Sequence, residues 1–203
     1  QSSIPKDPIL FQKALTSLSK SSTVIIPHGR EIHHEIEIVV LIGESGENIN
    51  LDNAFSYIKG IGLGLDLTDR ILQAKLKSKS LPWFLSKSFK GSAVVSKFYK
   101  WETSKWNESF WLKKNKKIVQ SGKIIEMIFS IEELISYLSN RVPLLKGDLI
   151  FTGTPSGVGP IINGDKLDMG LGNESFMNLE VIDSTLMNNE IKNFSLYIDG
   201  SAD

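Results

Sequence analysis

The sequence predicts a single β-rich α+β domain. Many short runs rich in β-branched residues are separated by Gly and Pro, as is typical of strands, whereas two or three segments repeat apolar residues at helical spacing. The 203 residues suffice for one large domain, and no internal repeat, linker or low-complexity segment divides them. We therefore expect the strands and a few short helices to share one core.

The composition is that of an ordinary globular protein, with 41% hydrophobic and 23% charged residues. The 23 Lys and Arg residues balance the 23 Asp and Glu residues, which argues against a general affinity for nucleic acid or membranes. The chain has no Cys, so disulfides, thiolate metal sites and Cys nucleophiles are excluded. Without a secretory signal or a membrane-spanning apolar run, we expect a cytoplasmic or mitochondrial protein.

Residues 32–43 predict a long strand that ends at a glycine. Side chains alternate between the two faces of a strand, so His34 belongs to an apolar face. Glu35 and Glu37 share the opposite face with His33. The strand therefore places two carboxylates side by side in a run that is apolar enough to be buried.

Two interpretations of this acidic pair remain open on the pattern alone. Glu35 and Glu37 could form the solvated face of a half-exposed strand, which is a common pattern. Alternatively, both carboxylates could hold a divalent cation, because buried like charges are costly unless they are paired. Carboxylate oxygens suit Mg²⁺, Mn²⁺ or Ca²⁺.

A third carboxylate, Asp66, lies near the end of the next long apolar segment at residues 61–68. Three oxygen ligands from two strands would leave octahedral positions for water and a substrate, as Mg²⁺ prefers. Lys87, Arg70 and Thr154 supply positive charge and hydrogen-bond donors for an anionic ligand. The glycines of the 61–68 strand indicate that another backbone or a ligand lies close by.

Three segments carry helical signals. The clearest is residues 130–138, which begin with a Ser-Ile-Glu-Glu capping box and continue with apolar residues at helical spacing. Residues 52–59 predict a short helix that ends at Gly60, and residues 69–79 predict a polar, basic helix.

Two features place lysines in unusual surroundings. Residues 81–89 predict an apolar loop with Lys87 in its middle, so either its amine reaches solvent along an apolar surface or its charge lies in a pocket. Residues 106–120 predict a hairpin with a basic tip. A nucleic-acid-binding patch is the alternative for this tip, and the neutral net charge disfavours it.

Together these residues resemble the fumarylacetoacetate hydrolase family, and within it the small, single-domain, acylpyruvase-like branch. The matching motifs are His33-His34-Glu35-Ile36-Glu37, residues 65–73, Leu81-Pro82-Trp83, Lys87-Ser88-Phe89, Met127-Ile128-Phe129-Ser130, Gly147-Asp148 and residues 152–160. Their order and spacing agree from about Pro5 to about Ile182.

The resemblance implies a mixed β-sandwich or β-roll, usually a homodimer, that binds Mg²⁺ or Mn²⁺. It implies one catalytic domain at residues 1–203, with a family-like core at about 5–182 and a C-terminal extension at 183–203. The site residues that it implies are the metal ligands Glu35, Glu37 and Asp66, the substrate-carboxylate contacts Arg70, Gln73, Lys87 and Thr154, and Lys87 as the catalytic group.

The implied activity is C–C bond cleavage of a small 2-oxo acid that carries a second carbonyl or carboxylate two carbons on. Acylpyruvate hydrolysis and oxaloacetate decarboxylation are both expected, with the enolate stabilised by the metal. The partner is then a small acid rather than nucleic acid or a membrane. Two alternatives are a non-catalytic dimer that binds metal or oxo acids, and an isomerase or hydratase of related dioic acids.

The sequence also departs from the family pattern. The family's lid loop with a His and a Glu precedes the segment matched at residues 5–13 and is not among the 203 residues, so we expect decarboxylation to be favoured over hydrolysis. Ile71 stands where the family commonly has Asp, and Ile124 stands where it usually has Thr. His28, in a turn, is a candidate substitute base, whereas His34 is expected to be a hydrogen-bonded core histidine.

Overall fold

The computed structural model describes residues 5–100 and 107–186. Its helices are α1 (Arg70–Ser78), α2 (Phe84–Lys87) and α3 (Ile131–Ser139), with 3₁₀ turns at Leu15–Ser17, Leu51–Tyr57 and Ile124–Glu126. Its strands are β1 (Leu18–Ser19), β2 (Thr23–Ile26), β3 (Ile32–His34), β4 (Ile36–Ile42), β5 (Ile58–Asp66), β6 (Thr68–Asp69), β7 (Ala93–Val95), β8 (Phe110–Lys114), β9 (Lys117–Gly122), β10 (Leu149–Phe151), β11 (Gly159–Pro160), β12 (Lys166–Leu171) and β13 (Glu174–Asp183).

The strands form three sheets, which confirms the β-rich α+β class. One sheet has the order β1-β7-β5-β4-β10, a second β11-β3-β6 and a third β2-β13-β12-β8-β9. The pairs β1/β7 and β2/β13 are parallel, and the other pairs are antiparallel. A single apolar cluster, built mainly from these sheets, forms the core. This arrangement is consistent with the expected mixed sandwich or roll.

The long strand predicted at residues 32–43 is interrupted at Glu35, so the prediction of one continuous strand is wrong. β3 belongs to the three-stranded sheet and β4 to the first five-stranded sheet. The backbone groups at the break have other partners: the Gln120 side chain accepts from the Ile36 N–H (3.1 Å), and the Asp66 N–H donates to the Glu35 carbonyl (2.9 Å). The chain can therefore change sheets without leaving these groups unpaired.

β4 is buried on both faces, unlike the half-exposed strand that one interpretation required. Val39 is fully buried on the face that carries the acidic residues, and Ile38 is fully buried on the other face. Apolar residues fill both faces because the three sheets and the segments around them enclose this strand. A strand that is buried on both faces usually consists of apolar residues throughout, so carboxylates in such a segment are unusual.

The glycines of β5 allow close packing, as the sequence predicted. A Cβ at Gly62 would lie 2.9 Å from the Lys97 carbonyl oxygen, and one at Gly60 would lie 2.9 Å from the Tyr99 carbonyl oxygen. Neighbouring backbone therefore approaches this strand more closely than a side chain would permit.

Two of the three predicted helices are confirmed. The Ser130 hydroxyl accepts from the Glu133 N–H (3.2 Å), and the Glu133 carboxylate accepts from the Ser130 N–H (2.7 Å), so the capping box opens α3. α1 begins after Asp69, whose carboxylate accepts from the Leu72 N–H (3.0 Å). The third, predicted at residues 52–59, is wrong: Leu51–Tyr57 forms a 3₁₀ turn, β5 begins directly after it at Ile58, and Gly60 lies inside that strand.

The basic hairpin is confirmed as β8 and β9. Two of its lysines contact their own chain: Lys114 donates to the Pro160 carbonyl (2.8 Å), and the Lys113 amine lies 4.1 Å from the centre of the Trp111 ring. The predicted loop at residues 81–89 contains the short helix α2. Most of the expected C-terminal extension, residues 187–203, and residues 101–106 of the aromatic segment lie outside the described residues.

Within the part of the chain that the structure describes, no helix is both long and apolar enough to cross a membrane.

We predict that Gly64→Ala destabilises the protein. The new Cβ would lie 2.7 Å from Val39 Cγ2 and 2.8 Å from the Val94 carbonyl oxygen, which a shift of one side chain cannot relieve. We expect the free energy of unfolding to fall by about 1–3 kcal/mol, measured by chemical denaturation. Gly159→Ala is the control, because its Cβ would come no nearer than 3.5 Å to another residue. Equal stability of the two variants would contradict the close packing.

Candidate metal centre and carboxylate cluster

Three carboxylates converge where β4 and β5 pair. Glu37 lies opposite Gly64 in the antiparallel register, and Asp66 ends β5 on the same face of the sheet. Glu35 lies at the strand break beside Asp66. One oxygen from each of the three carboxylates lies within 4.8 Å of the others. The three residues are 7%, 4% and 0% exposed, so the interpretation of a solvated acidic face is wrong.

Lys87 lies inside this cluster, so its amine does not reach solvent along the apolar surface. The short helix α2 carries it, and its side chain is 2% exposed. Its amine lies 2.9 Å from a Glu35 oxygen and 2.5 Å from an Asp66 oxygen, and it donates to the Thr68 hydroxyl (2.6 Å). The buried lysine thus links two of the three carboxylates through charge-assisted hydrogen bonds.

A second lysine, Lys13, completes the cluster and was not predicted from the sequence. Its amine lies 2.5 Å from the other Asp66 oxygen and also donates to the Lys87 carbonyl. Burial lowers the pKa of Lys13, and the nearby Asp66 charge opposes that shift. Lys13 stands at the end of the segment 5–13 matched to the family, but nothing in its sequence neighbourhood distinguishes it from a surface lysine.

Arg70 and Gln73 lie together beside Glu35. The Arg70 guanidinium donates to a Glu35 oxygen and to the Gln73 side-chain oxygen (2.6 Å). It also lies 3.4 Å from the His33 ring, whose other nitrogen is 2.7 Å from Glu31. The first turn of α1 therefore places Arg70 and Gln73 next to the carboxylate cluster.

The two glutamates have opposite pKa shifts because their surroundings differ. Burial alone would raise the pKa of Glu35, but the Lys87 and Arg70 charges outweigh it and leave that pKa lowered. Burial and the neighbouring Asp66 charge raise the pKa of Glu37 to about 8. Glu37 accepts from the Gly153 N–H (2.7 Å) and forms an ion pair with none of the described residues. Glu37 is thus the carboxylate of the cluster that gains most from a bound cation.

The cluster fits a hard divalent cation. Its three candidate ligands are all carboxylates, which Mg²⁺ and Mn²⁺ favour, and the buried Glu37 carboxylate has a hydrogen bond from Gly153 but no ion pair with any described residue. Glu35, Glu37 and Asp66 would hold the ion.

Two hydrogen bonds hold the Thr154 hydroxyl in place. Its hydroxyl donates to the Ile36 carbonyl (2.8 Å) and accepts from the Gln120 side-chain amide (2.9 Å). Gly153 precedes it with φ +100°, a conformation that favours glycine and that turns its N–H toward Glu37. The loop after β10 therefore brings Thr154 to the side of the cluster where Glu37 lies.

Gln120 is a second residue that the sequence did not reveal. Its side chain is 2% exposed and makes four hydrogen bonds with described residues. The side-chain oxygen accepts from the Ile36 N–H (3.1 Å) and contacts His34 Nδ1 (2.8 Å), while the amide donates to Thr154 and to the Pro155 carbonyl (2.9 Å). The Gln120 side chain therefore connects the strand break at Glu35 to the Thr154 loop through hydrogen bonds.

The three histidines have separate roles. His34 is 1% exposed and hydrogen-bonded to Gln120, as expected for a satisfied core histidine, and burial lowers its pKa. His33 contacts Arg70 and Glu31. His28 is largely exposed and contacts Asp183, so its described contacts do not support a role as the base.

A cavity of about 420 Å³ opens beside the cluster. Glu37 and Thr154 line it, whereas Arg70, Gln73 and Lys87 do not. The site thus has a polar side at Arg70 and a separate cavity at Glu37.

We predict that metal stabilises the protein through Glu37, and more strongly at high pH. The folded-state pKa of Glu37 is about 8, above its usual value of 4.5, so metal-free stability falls as the pH rises between these values. A cation must displace the Glu37 proton below that pH. The rise in melting temperature caused by Mg²⁺ should therefore be larger at about pH 9 than at about pH 6.

Glu37→Gln should remove most of this metal-dependent rise at both pH values, as measured by thermal unfolding. Glu47→Gln, in an exposed position, is the matched control and should keep the rise. An unchanged metal effect in Glu37→Gln would show that Glu37 is not a ligand.

We predict that Gln120→Met lowers the free energy of unfolding by about 2–4 kcal/mol, because a near-isosteric apolar side chain leaves several buried polar groups unpaired. Gln73→Met is the matched control, since Gln73 is half-buried and has one described partner, Arg70. We expect it to cost less than about 1 kcal/mol in chemical denaturation. Similar losses in the two variants would contradict the structural role of Gln120.

Comparison with known proteins identifies the family. Residues 1–191 match the family model described as fumarylacetoacetate (FAA) hydrolase C-terminal. The mitochondrial oxaloacetate tautomerase FAHD1 of Mus musculus is 42% identical over 185 residues, which cover 89% of this chain and 84% of the mouse protein. The mitochondrial oxaloacetate decarboxylase of Dictyostelium discoideum is 38% identical over 185 residues, covering 88% and 85% of the two chains.

A solved structure shares both the fold and much of the sequence. Fumarylpyruvate hydrolase from Pseudomonas aeruginosa, in complex with Mn²⁺ and pyruvate, superposes with a TM-score of 0.80 at 29% identity, covering 88% of this chain and 81% of the other. The family-model match, the identities over most of the chain and the shared fold agree with one another. This protein belongs to the fumarylacetoacetate hydrolase family.

Proposed function

We propose that this protein is a Mg²⁺- or Mn²⁺-dependent enzyme that cleaves the C3–C4 bond of a small 2-oxo acid. The observation that carries the proposal is the convergence of Glu35, Glu37 and Asp66 around the buried Lys87 amine. The named activity of the Dictyostelium relative and the Mn²⁺ and pyruvate in the Pseudomonas hydrolase support it. Acylpyruvates and oxaloacetate are the proposed substrates.

The proposed metal ligands are Glu35, Glu37 and Asp66. The ion, when bound, supplies a Lewis acid that stabilises negative charge on the 2-oxo oxygen. The protein residues supply binding, orientation and protons.

Lys87 is the proposed catalytic residue. Glu35, Asp66 and Thr68 hold its ammonium group in a fixed position, and burial excludes water around it. A preorganised cation stabilises developing negative charge more strongly than one that must reorient. One of its three N–H groups would have to leave Glu35, Asp66 or Thr68 to donate a proton to the carbon that becomes the methyl group of pyruvate.

Arg70 and Gln73 are the proposed contacts for the substrate carboxylate. The guanidinium offers planar donors suited to a carboxylate, and Gln73 fixes its orientation by accepting from Nη1. Thr154 is the further proposed contact. Its hydroxyl proton now points to the Ile36 carbonyl, so it would have to turn away from Ile36 to donate to a substrate.

The same residues could serve two cleavage reactions of this class. Oxaloacetate loses CO₂ as the C3–C4 bond breaks, and a proton added at C3 gives pyruvate. An acylpyruvate takes up water at C4, and cleavage of the same bond gives pyruvate and a carboxylic acid. The second reaction requires a base to activate water, whereas the first does not.

Tautomerisation of an oxo acid is the second candidate function. It moves a proton between C3 and the 2-oxo oxygen without C–C cleavage, which needs one group to accept a proton and one to donate a proton, and two buried lysine amines, Lys13 and Lys87, lie at the cluster as candidates for these roles. The relative from mouse carries this activity in its name. A non-catalytic protein that binds metal or oxo acids is the third possibility, and the buried lysines beside the cluster favour catalysis over it.

We infer a homodimer, with residues 1–203 forming one catalytic domain and residues 183–203 an extension of its core. The mouse and Dictyostelium relatives are named as mitochondrial, which supports the mitochondrion over the cytoplasm.

We predict Mg²⁺-dependent turnover of oxaloacetate or acetylpyruvate by this protein, and a loss of roughly 100-fold or more in kcat/KM on Glu35→Ala. Release of CO₂ and pyruvate is measured together with the ultraviolet absorbance of the enol. Loss of enol absorbance without pyruvate would identify a tautomerase instead.

Glu44→Ala, which removes an exposed acid, is the control and should keep full activity. Metal binding without conversion of any acid would identify a binding protein. Turnover that does not depend on metal, or that survives Glu35→Ala, would refute the proposed site.

A further inference from the structure

We propose that the cavity beside Glu37 binds an apolar acyl chain, so that the enzyme prefers acylpyruvates with a linear chain of several carbons over dicarboxylic oxo acids. This inference rests on the proposed function and names the substrate class of the same site. It follows from where the cavity lies, what lines it, how it is charged and how large it is.

The cavity meets the carboxylate cluster at Glu37. Glu37, a proposed metal ligand, and Thr154, a proposed substrate contact, both belong to its wall. A substrate whose 2-oxo acid end lies at the cluster would therefore direct its far end into this cavity.

The remainder of the wall is largely apolar and comes from several separate segments. Side chains with apolar surface on the cavity are Phe11, Met127, Phe129, Leu134, Leu138 and Phe151. Leu134 and Leu138 lie one turn apart on α3, while Phe151 ends β10. An apolar chain placed between them would lose contact with water along its length, which is favourable at each methylene group.

The charges around the cavity disfavour a second carboxylate. Among the described residues that line it, the ionisable side chains are Glu37, Lys123 and Glu126. Lys123 and Glu126 are both exposed, and the Glu126 carboxylate accepts from the Lys123 backbone N–H (3.2 Å). The buried cations of the site, Lys87 and Lys13, do not line the cavity. Lys123 is thus the one cation among the described lining residues and it is exposed, so a distal carboxylate placed among the buried apolar side chains would be desolvated without a buried cationic partner.

The size of the cavity also favours a long substituent. Its volume of about 420 Å³ lies in the range of pockets that enclose whole small-molecule ligands. Oxaloacetate has no atoms beyond its second carboxylate and would leave most of that space unused. An acyl chain extends from C4 into it.

The first test is a series of acylpyruvates with acetyl, butanoyl and hexanoyl groups, assayed with the Mg²⁺-loaded protein. We expect kcat/KM to rise about fourfold for each added methylene group, or roughly 250-fold over the four methylene groups from acetyl to hexanoyl. A six-carbon acyl group that ends in a carboxylate should react at least roughly tenfold more slowly than hexanoylpyruvate. A flat or falling series, or a preference for the terminal carboxylate, would overturn the inference.

Binding of the same acids, measured by calorimetry, separates this inference from the proposed function. If no acid is converted, the proposed function fails, but a dissociation constant that falls about fourfold per methylene group still supports the acyl cavity. If the acids are converted and neither binding nor turnover depends on chain length, the proposed function stands and the acyl cavity is refuted.

Leu138→Phe tests the location of the chain. Leu138 is half-buried on α3, and a larger side chain there should occupy part of the cavity. We expect the ratio of kcat/KM for hexanoylpyruvate to that for acetylpyruvate to fall at least roughly tenfold. Leu145→Phe is the matched control, because Leu145 is 60% exposed and lies outside the cavity lining. An unchanged ratio in a folded Leu138→Phe variant would place the chain elsewhere.

Discussion

The burial of three carboxylates within 4.8 Å of one another is the constraint on which the rest of this structure depends. Charges in a protein interior are stable only when they are paired, hydrogen-bonded or bound to a cation. The protein supplies three cations, Lys13, Lys87 and Arg70, and these pair with Glu35 and Asp66. Burial and the Asp66 charge raise the pKa of Glu37, so a bound divalent ion would stabilise the charged form of this third carboxylate.

The position of the acids depends on two local irregularities in an otherwise regular core. The strand break at Glu35 lets the chain pass from one sheet to another, and Gln120 satisfies the backbone that the break exposes. The glycines of β5 let neighbouring chain pack closely against the strand that pairs with β4 and ends at Asp66. Local departures from regular sheet geometry thus create the functional site, as is common where a fold carries function.

The cluster divides its surroundings into two chemically different sides. Arg70 and Gln73 form a polar side suited to an anionic group, whereas the cavity beyond Glu37 is mainly apolar. One end of a substrate can be anchored by charge and the other by burial of apolar surface. Under the proposed function, selectivity between related oxo acids would depend on the cavity, and the chemistry would depend on the acids and Lys87.

The sequence by itself determined the β-rich class, the α3 helix with its capping box and the basic hairpin, because these follow from local periodicity and turn chemistry. The residue pattern singled out Glu35, Glu37 and Asp66 as candidate ligands, the resemblance to the family implies the same role, and that role stays a prediction. Only the tertiary structure revealed the strand break, the ion pair that Lys13 makes with Asp66 and the buried hydrogen bonds that Gln120 makes. Lys13 meets Asp66 across 53 residues and Gln120 meets His34 across 86, and contacts at such separations leave no periodic trace in the chain.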